Sequence, residues 1–282
     1  MSIHSSFLRS PEFTEADFIK ISRLVYEQSG INLSDSKKEL VKARLGKRIR
    51  KGRFQSFGEY YRHVVNDRSG EEIIQLLDSI STNFTQFFRE KHHFEYLVQH
   101  FLPQIREREQ RFSKKIRIWS AGCSSGEEPY SIAITLLESL SPVSDWNLSI
   151  LATDISTKVL GEARGGVYLK EKIHDLQPNL MKKYFLRGQG RWQQYVKVKS
   201  EVKSIVHFQR FNLMDSFSFN EPFDCIFCRN VMIYFDKKTR EQLVNRLYDH
   251  LAKEGVLFIG HSESLTGIDH AFHYIKPAVY RK

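Results

Sequence analysis

The chain has 282 residues, 41% of them hydrophobic and 27% charged, with a formal net charge of +10 and a pI near 9.4. No apolar run approaches the roughly 20 residues of a membrane span, and the start, MSIHSSFLRSPEF, lacks the apolar core of a signal peptide, so a cytoplasmic globular protein without membrane insertion is expected. The cationic surplus calls for an anionic partner, whether nucleic acid, acidic lipid or a carboxylate-rich protein, and its placement decides which.

From residue 11 to about residue 81 the pattern is helical. Phe18, Ile21 and Val25 repeat at helical spacing, as do Phe57, Tyr60, Tyr61 and Val64, and then Ile73, Leu76, Leu77 and Ile80. Gly30, Gly52 and Gly70 mark helix ends. Between residues 37 and 53 nine cations face one acid, Glu39. Val41, Leu45 and Ile49 form a seating stripe, and Arg44, Lys47, Arg50 and Lys51 are expected to project away from it. Like charges at this spacing repel, so the face reads as a docking surface for something acidic. The expected division is a helical docking domain over 1–82 and a second domain over 83–282.

The stretch STNFTQFFREKHHF follows. Asn83 with Gln86 fits a helix capping box, and Thr85 and Arg89 at i, i+4 would then share one helix face. Beyond it strands and helices alternate. Strands are expected at 116–120, 148–153, 205–211, 223–228 and 256–260, with a last short pair in AFHYIK and AVYRK. Helices are expected at 130–139, 156–164 and 237–251. That order is the α/β class: a doubly wound, mostly parallel sheet. Residues 169–203 are too long for a simple connection, and RGQGRWQQYVKVK reads as a glycine turn leading into an alternating strand, hence a small inserted β unit. Cys225 and Cys228 form a lone C-x-x-C in an apolar run with no second ligand pair, so they read as buried hydrophobes and no metal is expected.

Ligands of such sheets bind beyond the carboxyl ends of the strands. The first strand runs into Ala121-Gly122-Cys123-Ser124-Ser125-Gly126, followed by Glu127 and Glu128; the second ends in Asp154, the third in Asn212-Leu213, the fourth in Arg229-Asn230. Asp154 is placed to accept from ribose hydroxyls. Glu128 repels a pyrophosphate but suits a cationic amino-acid tail. An adenosine ligand with an ammonium group and no phosphate is S-adenosylmethionine, whose spent form is S-adenosylhomocysteine.

Six blocks, NFTQFFREKHHF, IWSAGCSSGEEPYSIAI, ATDIS, FNL, FDCIFCRNVMIYFD and LFIGHSESL, together resemble the chemotaxis receptor methyltransferases of the CheR type, in that family's order and over nearly the whole chain. The resemblance implies a class I S-adenosylmethionine-dependent methyltransferase fold with an all-helical amino-terminal domain. The implied activity is methyl transfer to glutamate side chains on a chemoreceptor's cytoplasmic helical bundle. It implies cofactor contacts at Asn83, Thr85, Arg89, Glu128, Asp154, Asn212, Leu213, Arg229 and Asn230, with Arg89 and Tyr234 beside the reacting groups. The basic second helix resembles the receptor-engaging surface, and the β unit resembles a tether for a receptor's carboxy-terminal peptide at Arg187, Gly188 and Gly190. Gln194 stands where peptide-binding members carry glycine, a departure that bears on the tether. Three alternatives have weaker support. A nucleic-acid methyltransferase would carry prolines after the fourth strand, where the chain reads Arg229-Asn230-Val231-Met232, so no nucleic acid is expected. A dinucleotide oxidoreductase would need G-x-G-x-x-G, and a non-catalytic receptor adaptor would not need Arg89, Asp154, Asn230 and Tyr234.

Overall fold

Local caps set the helix boundaries in the amino-terminal part of the structure, a computed structural model that describes residues 12–109 and 114–282. Thr14 Oγ1 accepts from the Asp17 amide and the Asp17 carboxylate accepts from the Thr14 amide, both at 3.1 Å, a reciprocal box that opens α1, Glu15–Ser29. Gly30, at φ 71°, ends it in the left-handed conformation. The leader-peptide reading rests on residues that lie, through residue 11, outside those described.

Among the described residues of this part follow α2, Lys38–Gly52; α3, Phe57–Asn66, capped by Ser56; and α4, Glu71–Ile80. Phe18, Ile21 and Val25 of α1 are buried with Val41, Leu45 and Ile49 of α2, Phe57, Tyr60 and Val64 of α3, and Leu76, Leu77 and Ile80 of α4. The chain divides into two units: the described residues of Met1–Thr82 together with Tyr234–Asp236, and Asn83–Ile233 together with Lys237–Lys282.

In the second unit the helix expected at Asn83, with Thr85 and Arg89 on one face, does not form. Residues 81–86 have no regular structure and 87–91 turn, with Phe88 and Glu90 at φ 52° and 59°. Tertiary contacts override the local preference. The Phe87 ring is pinned edge-on by Tyr168 at 5.1 Å and Phe185 at 5.4 Å, and the Phe88 amide donates to Ser131 Oγ at 2.9 Å. Regular helix begins at α5, His92–Tyr96, and passes through a π-helical turn, Leu97–Phe101, into α6, Leu102–Glu109.

The main sheet has seven strands. In chain order they are β1, Lys115–Ala121; β2, Asn147–Asp154; β6, Val206–Arg210; β7, Phe223–Cys228; β8, Leu251–Ile259; β9, His273–Lys276; and β10, Val279–Arg281, and their order across the sheet is β6-β2-β1-β7-β8-β10-β9. All pairings from β6 to β8 are parallel, and β10 runs antiparallel to β8 and β9. Helices α7, Glu127–Ser139, α8, Thr157–Gly165, and α11, Lys237–His250, make crossovers. Every residue of β7 is buried, as a strand covered on both faces requires. The winding reverses between β1 and β7, so the ligand crevice lies beyond their carboxyl ends. β8 starts at Leu251, earlier than the expected 256, because a register shift opposite Phe223/Cys225 and a left-handed Glu254 interrupt its apolar pattern without ending the strand.

The inserted unit is a three-stranded antiparallel sheet, ordered β3-β5-β4, of Val167–Leu169, Tyr195–Val198 and Phe185–Arg187. It also holds α9, Pro178–Tyr184, and it leads into α10, Ser200–Lys203. All three cysteines are unpaired and buried, and burial pushes each thiol well up from its ordinary value.

Within the helical unit α2 is joined to α4 by a fork: Glu72 accepts from Arg48 Nε at 2.8 Å and from Nη2 at 2.5 Å, with both side chains largely buried. Glu72→Ala strands that guanidinium and is expected to cost about 2 kcal/mol, read from the denaturant midpoint of the helical unit. A loss below about 0.5 kcal/mol would reduce the fork to an ordinary surface pair.

Candidate functional site

β1 cannot continue past Ala121 because the chain must turn there to reach α7. Gly122, Ser124 and Gly126 make the turn at φ 83°, 49° and 96°. The Gly122 and Cys123 amides both donate to Thr153 O at 2.8 Å, which ties the turn to the end of β2. A side chain at Gly122 would collide with Val231, in the loop after β7, so only glycine allows that approach.

Asp154 ends β2 with 9% of its surface exposed. Its Oδ2 accepts from the Ser124 amide at 2.8 Å and its Oδ1 from the Ser156 amide at 2.9 Å. These bonds fix the orientation of the carboxylate, an acceptor-only group of the kind that a vicinal diol can donate to.

Arg229, at the end of β7, has 2% of its side chain exposed. It donates to Glu128 Oε2 at 2.9 Å, to the Arg89 carbonyl at 2.5 Å, and pairs with Glu90 at 3.0 Å. Glu128 Oε1 accepts from Ser120 at 2.7 Å. Glu128, expected to meet a ligand's ammonium group directly, is therefore already paired within the protein. The cluster as a whole still favours a cation, because one guanidinium is enclosed by two carboxylates. Burial pushes the Glu128 carboxyl up against the pull of Arg229 and Ser120. Burial opposes ionisation of the more open Glu90 as well, but there Arg229 outweighs it and the carboxyl falls below its ordinary value.

The remaining expected residues are distributed unequally. Asn83 O accepts from Ser124 Oγ at 2.9 Å, which fixes it against the glycine turn. Thr85 is half-buried in the irregular segment. Arg89 donates to Phe84 O at 3.1 Å and lies 5.7 Å from the centre of the Phe84 ring, which is 73% exposed. Asn212 accepts from the Met214 amide at 3.1 Å and donates to Asp215 at 3.0 Å, and the buried Leu213 carbonyl accepts from Arg246 at 2.7 Å. Asn230 has φ 59°, and its amide donates to Glu263 at 2.9 Å. Tyr234 groups with the helical unit, where its carbonyl accepts from Asn32.

Among the basic residues Arg44 departs from expectation. It does not project freely but donates to Ile80 O and to Thr82 Oγ1, closing the end of α4, because the carbonyls there lack helical partners. Lys47, Arg50 and Lys51 are exposed. Arg187 is exposed at the end of β4; Gly188 N donates to Tyr195 O, and Gly190 has φ 55°.

Sequence reasoning missed Glu263. Its half-buried carboxylate accepts from the amides of Gly260, Asn230 and Ile233 at 2.6, 2.9 and 3.2 Å, and so shapes the loop after β7. The available signal was an acid three residues beyond a glycine that ends a strand. Among the described residues no group of His, Cys, Asp or Glu could hold a metal ion.

Two family models match the chain: "CheR methyltransferase, SAM binding domain" over residues 83–281 and "CheR methyltransferase, all-alpha domain" over residues 16–81. The chain is 43% identical to the chemotaxis protein methyltransferase of Borreliella burgdorferi, with 95% of each chain covered. It is 41% identical to chemotaxis protein methyltransferase 2 of Pseudomonas aeruginosa, over 95% of this chain and 93% of the relative. It is 38% identical to the chemotaxis protein methyltransferase of Escherichia coli, over 95% of this chain and 91% of the relative.

Next to the charge cluster lies His93, fully buried against Phe258 at 5.1 Å between ring centres, with neither ring nitrogen hydrogen-bonded. Burial, reinforced by Arg229, His92, His261 and Lys276, pulls the imidazole down to about 2 from an ordinary 6.5. The folded state refuses a proton that the unfolded chain accepts. Its stability is therefore full above about pH 6.5 and falls as pH drops toward the folded value. His93→Phe keeps the ring and removes the base. Its unfolding midpoint should fall less steeply than wild type between about pH 6.5 and 4.5, and an equal slope would refute this account.

Proposed function

Since the chain belongs to the CheR methyltransferase family, we propose that it methylates glutamate side chains on the cytoplasmic helices of a chemoreceptor, yielding methyl esters and S-adenosylhomocysteine and serving adaptation in chemotaxis. The observation that carries the reading is what gathers at the carboxyl ends of β1, β2 and β7. There Asp154, oriented by two loop amides, offers a carboxylate to ribose hydroxyls, and a buried cluster holds one more carboxylate than guanidinium. These residues fit S-adenosylmethionine, which supplies, when bound, an electrophilic methyl group on a sulfonium.

Asp154 holds the sugar. Glu128, Glu90 and Arg229 present the excess negative charge to the amino-acid end, and Asn83, Thr85, Asn212, Leu213 and Asn230 line the remainder. A glutamate acceptor, with an ordinary pKa of about 4.3, arrives ionised at neutral pH, so no general base is needed. What the chain must supply is alignment, which can contribute about 7–11 kcal/mol in favourable cases, and exclusion of water from two charges that neutralise each other. Arg89 positions a carboxylate by charge-assisted bonds, and Tyr234 orients the reacting groups through its hydroxyl.

Residues 1–82 act as the docking domain, with Lys47, Arg50 and Lys51 toward the acidic receptor helices, and Arg44 holds the face together from behind. The β4 edge, at Arg187, Gly188 and Gly190, is the place for a receptor's carboxy-terminal peptide, and Gln194 weighs against that tether. No helix among the described residues is long and apolar enough to cross a membrane. The reading places the enzyme in the cytoplasm, at the receptor's inner helices.

Incubation with receptor-containing membranes and methyl-labelled cofactor should give label that alkali releases as methanol. Alkali-stable label would mean an amine acceptor and would overturn the glutamate assignment. Asp154→Asn should weaken S-adenosylhomocysteine binding by about tenfold or more in calorimetry, and unchanged affinity would remove Asp154 from the sugar site. Arg89→Ala and Tyr234→Phe should each lower turnover by about tenfold to a hundredfold. Near-wild-type rates in both would dismiss them from the mechanism.

A further inference from the structure

Glu127 is not among the residues assigned to the cofactor, yet it is one of the most enclosed acids in the protein, with none of its side chain exposed. It opens α7 one residue after Gly126 and one before Glu128. Its Oε2 accepts from Ser125 Oγ at 2.7 Å, and its Oε1 pairs with Lys172, whose side chain is 41% exposed. Its carbonyl accepts from Ser131 Oγ at 2.6 Å, and the same hydroxyl accepts from the Phe88 amide. Lys172 lies in the helical turn Lys170–Ile173, directly after β3 of the inserted unit.

A second contact reaches the same turn from the same unit. Tyr168, on β3, donates its hydroxyl to the Ser125 carbonyl at 2.6 Å in a buried setting. That hydroxyl packs so closely against Gly126 that a side chain there would meet it at 2.9 Å. The Tyr168 ring also stands edge-on to Phe87, next to the irregular segment that carries Asn83 and Arg89. The two residues therefore grip the turn on either side of Gly126, next to Ser124, whose amide orients Asp154, and Glu128, which pairs with Arg229. A buried carboxylate requires a partner, and here its cation comes from outside the main sheet.

We infer that Lys172 and Tyr168 of the inserted β unit are positioning residues for S-adenosylmethionine: they hold the glycine turn through Glu127 and Ser125 and thereby set cofactor affinity. The inference rests on the reading that this turn and Asp154 bind the cofactor. It gives the β unit a part in the reaction that does not depend on any receptor peptide.

The test compares Lys172→Met, Lys172→Arg, Tyr168→Phe and Asp154→Asn in the full chain. Calorimetry with S-adenosylhomocysteine should show the dissociation constant rising about tenfold in Lys172→Met and Tyr168→Phe. Lys172→Arg keeps the charge and should return to within about threefold of wild type. With receptor membranes, KM for S-adenosylmethionine should rise in parallel while kcat at saturating cofactor stays within about twofold. A merely structural role would lower the active fraction, and so kcat, without moving KM, and that result overturns the inference. So does wild-type affinity in both Lys172→Met and Tyr168→Phe while Asp154→Asn loses binding, an outcome that leaves the cofactor site itself standing. Unchanged affinity in Asp154→Asn overturns both. Should Lys172→Met fail to fold, Tyr168→Phe decides by the same KM and kcat readout.

Discussion

The Arg229 guanidinium is the constraint around which the site is assembled. With 2% of its side chain exposed it cannot rely on water for compensation. Glu128, Glu90 and the Arg89 carbonyl supply that compensation from remote parts of the chain. To satisfy it, the end of β7, the start of α7 and the segment before α5 must converge on one point. The irregular course of residues 83–91 follows, since an uninterrupted helix would lack the left-handed Phe88 and Glu90 that the segment contains. The same convergence leaves an excess carboxylate beside the crevice. The folding requirement of one cation thus creates the electrostatic preference for another.

That arrangement suits a reaction whose acceptor needs no deprotonation. Each acidic side chain around the crevice is occupied: Asp154 by loop amides, Glu128 and Glu90 by Arg229, Glu127 by Ser125 and Lys172, and Glu263 by three amides. None stands as an idle base. The acids act as struts that fix loop geometry, and the turn they hold is tied at both ends, to Thr153 on one side and Ser131 on the other. Catalysis by alignment demands such stiffness, because a small displacement of the donor costs more than any single contact restores.

How much of this the sequence disclosed depends on the range of the interaction. β7 is read to the residue, because FDCIFC is apolar throughout and is bounded by Pro222 and Arg229. β1 and β2 are read to within one residue, for they too lie in the buried middle of the sheet. Parallel strands then carry Gly122, Asp154 and Asn230 to one edge by topology alone. The pairings at that edge were not legible. Arg229 meets Glu128 across 101 positions and Glu90 across 139, and no periodicity encodes such a partner. Arg44 misled for a related reason. Its place on the helix suggested solvent, but a neighbouring helix end offered unpaired carbonyls within reach. The capping pattern at Asn83 and Gln86 was locally sound and lost to aromatic packing around Phe87.

The sealed thiols carry a practical consequence. Cys123, Cys225 and Cys228 sit inside the sheet or beneath its first turn, and each is disfavoured as a thiolate, the form that alkylating reagents attack. Maleimide chemistry would therefore pass over the natural cysteines. A single cysteine introduced on the exposed face of α2 could carry a fluorophore or spin probe without first clearing the background, and the distance from that helix to a receptor could be followed in the otherwise unaltered protein.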